Sequence, residues 1–295
     1  MWLGIDGGGS NLRVVVVDDA MQIIASATGE SVNPNSVGRD IAAQRIRAGI
    51  ASAIDGLQIS GVGIGVAGAS ARHSADWLMD VVRTVLPDVP VFPSSDEEIA
   101  LVGARGALNG VVLIAGTGSA AYGIHPSGET FRAGGWGYLL GDEGSGYWIG
   151  LQAAKALTLH ADQRLDAKTN LPELVMTAAE ITSADEMIRW VYGDFKPSKI
   201  ATLARIVLEA ASAGDAYAIE ICQLAAKHLA ELVRHVQHQL NLSTEHIVFA
   251  GGLLSEENPV SVQVLNDLGL TQFPITRYPP VIGAALLAKL RCHVN

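Results

Sequence analysis

Short apolar runs alternate with turn-forming residues from the start of the chain. Residues 2–6, 12–18 and 22–28 are rich in Val and Ile with turn residues between them, which predicts three strands. A helix follows, with Ile46, Ile50, Ala53 and Ile54 on one face. "GVGIGVAG" (61–68) reads as a buried strand, and the next helix carries Trp77, Leu78, Val81, Val82 and Val85. "VPVFPSS" (89–95) is a strand and residues 96–107 form a helix. The pattern then restarts. Residues 110–124 read as strand, glycine turn and strand, with a third strand near 129–133. Helices fill the middle of the chain, the longest from about 215 to 240, striped by Ile221, Ala225, Leu229, Leu232, Val236 and Leu240. "HIVFAGGLL" (246–254) is a strand ending in a glycine turn; a helix, the strand "TQFPIT" and a final helix from "PPVIGAALLAKL" follow. Strand-strand-strand-helix-strand-helix, written twice, predicts two α/β domains with mixed sheets and a cleft between them. The division falls at 1–108 and 109–295, with the last helix able to pack back at the junction.

The totals narrow the function classes. A chain of 295 residues, 49% hydrophobic and 17% charged, can bury large cores without disulfide or metal staples. A net charge of -10 argues against a nucleic-acid or anionic-membrane surface. No apolar stretch reaches membrane-spanning length, and the first residues lack the basic region and cleavage site of a leader. Cys222 and Cys292 are too few for a disulfide framework or zinc module, which fits a reducing, cytoplasmic setting. His235 and His238 share a helix at i, i+3 spacing without a third ligand, so they read as a solvated face. The 32 glycines cluster in a few places, and those places carry the chemistry.

In dinucleotide folds and P-loops the glycines open directly into a helix. In "GIDGGGSNLRV" (4–14) a strand follows, so the run is a hairpin with a glycine turn. Backbone N–H groups of Gly8 and Gly9, with the Ser10 hydroxyl, can converge there on an anion. Asp6, at the strand end, can hold a hydrated Mg²⁺ beside phosphates. A plain glycine hairpin, with Asp6 as turn former, produces the same residues. A second glycine hairpin, "IAGTGSAAYG" (114–123), holds the equivalent place in the second half, and "FAGGLL" (249–254) supplies a third glycine turn. This arrangement resembles the actin-like ATPase superfamily of sugar kinases, actin and chaperone ATPases, built from two ribonuclease H-like domains. Its phosphate-one, phosphate-two and adenosine motifs match residues 4–13, 111–120 and 247–254.

"GGWGYLLGDEGSGYWIG" (134–150), preceded by "AGTGS", is similar to the N-acetylglucosamine kinases of the BadF/BadG/BcrA/BcrD ATPase family. Physically it is a glycine-rich loop that brings Asp142 and Glu143 to the start of a helix, whose positive end favours acids; simple N-capping by Asp142 is the plainer reading. The resemblance implies an ATP- and Mg²⁺-dependent kinase that phosphorylates the 6-hydroxyl of an amino sugar, N-acetylglucosamine first, with glucosamine and N-acetylmuramic acid as alternatives. It places the catalytic, substrate-contacting aspartate at Asp96, after "VPVFPSS" and at a helix start. An ordinary N-cap aspartate would sit there too. The family pattern continues with small residues, whereas Glu97 and Glu98 follow here.

Ser10, Thr117 and Ala201 match nucleotide-contacting positions, flanked by the turn glycines Gly8, Gly9, Gly116, Gly118, Gly251 and Gly252. Asn33, Ser119, Gly135, Trp136, Gly137 and Asp142 match sugar-contacting positions. Taken alone, Asn33 reads as a turn residue beside Pro34, and Trp136 as core. The lactyl carboxylate of N-acetylmuramic acid would need an arginine nearby, such as Arg72. A homodimer is expected. Two competing classes stay open. A dehydratase activator of the same wider family would hold a [4Fe–4S] cluster through cysteines, yet Cys222 and Cys292 lie in helical, apolar sequence. The other is a non-enzymatic nucleotide switch or sugar-responsive regulator, whose DNA-binding version would need a basic helix-turn-helix for which the N-terminus leaves no length.

Overall fold

β-Branched residues fit a pleated, buried surface, and the opening apolar runs pair accordingly. The computed structural model describes residues 1–8, 11–68, 71–165, 168–243 and 246–293, excluding the side chains of 71–73. The strands β1 (Trp2–Gly7), β2 (Asn11–Val17) and β3 (Ile23–Glu30) are followed by helices α1 (Pro34–Val37) and α2 (Arg39–Ile54). Then come β4 (Gly61–Val66), α3 (Ala71–Arg83), β5 (Val91–Ser94) and α4 (Asp96–Arg105). The sheet order is β3-β2-β1-β4-β5. β1, β4 and β5 are parallel, and their register puts Asp6 opposite Gly65 and Gly65 opposite Ser94. Asp6, Gly65 and Ser94 therefore form one row at the carboxyl ends of the parallel strands, the edge where open α/β sheets bind ligands.

Side chains alternate across this sheet, so it has two cores. Leu3, Ile5, Ile64 and Val66 pack with Ile46 and Ile50 of α2 and with Leu78 and Val82 of α3. Trp2, Val15 and Val17 pack on the other face with Ile99 and Val102 of α4 and with Ile282, Ala285 and Leu287 near the C-terminus. That second face is built on bare backbone. A Cβ at Gly63 would lie 1.8 Å from Ala284 O, and one at Gly4 would lie 2.0 Å from Val281 O. The closing helix thus rests directly on β1 and β4.

In the rest of the chain, β6 (Gly110–Ala115), β7 (Ser119–Ile124) and β8 (Thr130–Gly134) precede α5 (Gly146–Ala161), α6 (Leu171–Ala179) and α7 (Ala184–Tyr192). After these come α8 (Pro197–Ala201), α9 (Ala204–Ser212), α10 (Ala216–Leu240), β9 (Ile247–Ala250), α11 (Pro259–Leu268) and α12 (Pro280–Cys292). The strand order is β8-β7-β6-β9. Asp215 caps α10 by accepting from Ala218 N, and the helix buries Ile221, Ala225, Leu229, Val236 and Leu240, as its period requires.

Contacts group the chain into one unit of Met1–Val112, Gly123–Thr130 and Ile275–Asn295, and a second of Leu113–Tyr122 and Phe131–Pro274. The closing helix α12 therefore groups with the N-terminal sheet. The expected strand "TQFPIT" (271–276) does not form. Pro274 has no N–H to give to a ladder. Just beyond it, Arg277 N and Tyr278 N donate to Ala104 O and Gly103 O, both at 3.0 Å, at the end of α4.

Candidate active site

The candidate residues fall into two sets, one in each unit. In the first unit, Asp6 is the penultimate residue of β1, opposite Arg13 of β2. Burial pushes its carboxyl above the ordinary range, and the Arg13 charge opposes this. Gly8 N donates to Asn11 O at 2.8 Å and closes the first hairpin, while Ala67 N reaches Gly7 O at 2.7 Å. Gly9 and Ser10 lie outside the described residues. Asn33 is both turn former and neighbour of the strand ends. Its side chain caps α1 by accepting from Asn35 N at 2.9 Å, and Gly68, just after β4, lies against the same oxygen.

Asp96 is the first residue of α4, half-buried, but it is not the cap. Ser95 takes that role, accepting from Glu98 N at 3.1 Å. The plainer alternative, Asp96 as an N-cap, is therefore set aside: the hydroxyl before it satisfies the helix end. Glu98 is buried and accepts from Ser94 Oγ at 2.7 Å and Arg291 Nη2 at 2.6 Å, so the second of the two following acids is committed to an ion pair.

In the second unit, the Gly116–Ser119 turn and the loop 134–146 are sewn together. Gly116 N donates to Gly118 O at 2.9 Å and closes the turn. Gly146 N donates to Gly116 O at 2.8 Å, Tyr147 N to Thr117 O at 3.2 Å, and Gly135 N to Ser119 O at 2.8 Å. Ser119 Oγ donates to Glu143 O at 2.8 Å, and Ser119 N to Asp142 Oδ1 at 3.3 Å. The start of α5 is thus fixed to the hairpin whose glycines resemble a phosphate cradle. The Asp142 carboxylate fills the space Gly118 leaves: a Cβ there would lie 2.7 Å from Asp142 Oδ2.

Asp142 does not cap α5. Ser145 does, accepting from Trp148 N at 3.2 Å, so the plainer alternative falls here too. Asp142 instead adopts φ 63° and turns its carboxylate onto the hairpin, where the residue is only 8% exposed. Burial raises its carboxyl above the ordinary range and Glu143 adds to this; the N–H groups of Ser119 and Gly137 and the charge of Arg132 pull the other way. Trp136 is 72% exposed, so it is not core, and Leu139 and Leu140 beside it are exposed as well. Tyr138 anchors the loop through ring contacts with Tyr147 and Phe195, at 5.2 and 5.3 Å between centroids. Arg132, which sequence reasoning missed, donates from Nη2 to Gly135 O at 2.9 Å. Its position three residues before Gly135 was the available signal.

The remaining nucleotide candidates meet the same turn. Ala201 ends α8, with its Cβ 3.6 Å from where a Cβ on Gly146 would lie. Gly251, at φ 88°, packs on Ala115 beside Gly116, and Leu253 N donates to Ala115 O at 3.0 Å. Gly116 and Gly252 present bare backbone with no atom within 4 Å of a Cβ position. Gly116, Thr117, Gly118, Ala201 and Gly251 are therefore one cluster, with Gly252 at its edge.

The model of the BadF/BadG/BcrA/BcrD ATPase family matches residues 3–288. The chain belongs to that family. ATP use comes with membership in this ATPase family. The chain is 30% identical over 311 residues to an N-acetyl-D-glucosamine kinase from Dictyostelium discoideum, covering 98% of this chain and 97% of the relative. It is also 30% identical over 308 residues to an N-acetylmuramic acid/N-acetylglucosamine kinase from Clostridium acetobutylicum, covering 98% of each. Among solved structures, a candidate N-acetylglucosamine kinase from Chromobacterium violaceum superposes with a TM-score of 0.73 at 25% identity over 97% of both chains. The fold of this family member is that of the actin-like ATPases.

Among the described residues no group of three or more His, Cys, Asp or Glu side chains could hold a metal. Mg²⁺ needs no such cage, since it keeps its waters and uses one or two carboxylates plus phosphate oxygens. Asp6 fits that role, because a cation would favour the charged form that burial resists. No described helix is long and apolar enough to cross a membrane.

Proposed function

We propose that this family member is an amino-sugar kinase that transfers the γ-phosphoryl group of ATP to the 6-hydroxyl of N-acetylglucosamine. The observation that carries the reading is the set of hydrogen bonds joining the Gly116–Ser119 turn to the loop of Trp136 and Asp142. One rigid piece then presents both a phosphate-binding turn and a sugar-binding loop. Phosphoryl transfer is mainly positioning and charge neutralisation. In this mechanism the glycine turns at Gly8–Ser10 and Gly116–Gly118 cradle the phosphates, and Gly251 and Gly252 receive the nucleoside on bare backbone. Mg²⁺, held by Asp6 through water, would neutralise phosphate charge. Asp142 accepts hydrogen bonds from ring hydroxyls, Trp136 offers an apolar face, and Asp96 accepts the proton of the attacking hydroxyl.

Both relatives at 30% identity carry N-acetylglucosamine in their names, which supports that sugar. Glucosamine is the rival, because Asp142 and Glu143 together would hold its ammonium; the positive charge of Arg132, which also acts on Asp142, opposes this. The same guanidinium supports N-acetylmuramic acid as a second reading, since it could pair with the lactyl carboxylate; the side chain of Arg72 lies outside the described residues. A dehydratase activator is a poorer fit. Cys222 is buried within α10, and burial pushes its thiol up to about 12, which opposes the thiolate a cluster needs. The enzyme is also expected to be cytoplasmic, from its cysteine usage, and a homodimer, which sedimentation velocity tests. The deciding experiment is an ATP-coupled assay comparing kcat/KM for N-acetylglucosamine, N-acetylmuramic acid, glucosamine and glucose. N-acetylglucosamine should rank first; a glucosamine preference of tenfold or more would overturn the assignment.

A further inference from the structure

Ser95 followed three residues later by Glu98 is the sequence of a capping box, in which the glutamate reaches back to the N-cap N–H. One half forms, with Ser95 accepting from Glu98 N. The carboxylate goes elsewhere: Oε2 accepts from Ser94 Oγ at 2.7 Å and Oε1 from Arg291 Nη2 at 2.6 Å. Ser94 is fully buried and Glu98 is 7% exposed. A carboxylate at that depth is held only with a partner, and this chain brings one from 193 residues away. Arg291 lies on α12, which is locked to the sheet at Gly63 and to α4 at Gly283, where a Cβ would lie 2.1 Å from Ile99 O. The residues on both sides of Asp96 are therefore tied to a helix that cannot slide. Capping alone would not need the arginine.

We infer that Ser94, Glu98 and Arg291 are positioning residues that aim Asp96 at the acceptor hydroxyl. The inference rests on Asp96 being the base. Misaiming a base by an ångström lowers turnover steeply without touching the binding groups. Arg291→Met should lower kcat by about 10–100-fold, with both KM values within about twofold of wild type. Arg291→Lys, which keeps a charge, should recover part of that kcat. Glu98→Gln should lose a similar amount, and the double variant Glu98→Gln/Arg291→Met should lose little more than Arg291→Met, because the groups act as one. Assays run well below each variant's Tm separate this from loss of fold. A lowered Tm with kcat unchanged would make the pair merely structural and overturn the inference. If Arg291→Met does not fold, Glu98→Gln, which keeps an acceptor for Ser94, carries the test through its kcat. Asp96→Asn is the control. Full activity in that variant would overturn the assignment of the base; an inactive Asp96→Asn beside fully active Arg291→Met and Glu98→Gln would overturn this inference alone.

Discussion

Asp142→Asn separates a carboxylate kept for chemistry from one kept for structure. The substitution preserves size, and Asn tolerates the positive φ of 63° found there. Its Oδ1 can still accept from Ser119 N, so the loop should stay sewn to the hairpin. The charge alone is lost. Burial raises the folded-state carboxyl above its ordinary value, so between the two values the folded protein binds more protons than the unfolded chain. Stability therefore falls as pH rises through that window, and at pH 7.5 the ionised group lowers stability. Asp142→Asn should have a Tm equal to or above wild type at pH 7.5, and the gap should close as the pH is lowered towards the ordinary carboxylate range. Activity should move the other way. A hydrogen bond to a charged group contributes about 1.5–3 kcal/mol, so kcat/KM for the sugar should fall about 10–150-fold. Scanning fluorimetry and the coupled assay give both numbers. Unchanged kcat/KM would remove Asp142 from sugar binding, and a Tm several degrees lower would make its carboxylate a structural tie.

Asp96→Asn should lower kcat by about 10²–10⁴ while calorimetry still detects ATP and sugar binding; near-normal turnover would point to another acceptor for the proton. Gly63→Ala should be destabilising by about 1–3 kcal/mol or more, because its Cβ would meet the main-chain oxygen of Ala284 at 1.8 Å and α12 would have to lift from the sheet; a wild-type Tm would refute that packing. Cys222, buried and with its thiol pushed up to about 12, should resist alkylation at pH 8 until the protein unfolds, while the partly exposed Cys292 reacts first; mass spectrometry of the labelled peptides reads the order.

Local periodicity carried most of the fold into the sequence. The Val-rich runs, the 216–240 helix and the glycine hairpins at 7–11 and 115–119 depend on neighbours a few residues away, so their pattern is legible along the chain. The glycine motifs likewise announced the turns, because a turn needs its glycine wherever the rest of the chain goes. Roles that depend on distant partners were left open or missed. Asp142 and Asp96 both look like caps, yet Ser145 and Ser95 cap those helices; which oxygen reaches the free N–H groups depends on a backbone path that spacing does not record. "TQFPIT" has strand composition, but Pro274 withholds a donor, and the following N–H groups find α4 instead. Gly4 and Gly63 look like small residues in buried strands. Only the tertiary structure makes them the floor on which α12 lies, because a missing Cβ has meaning only once another backbone comes close enough to need the space.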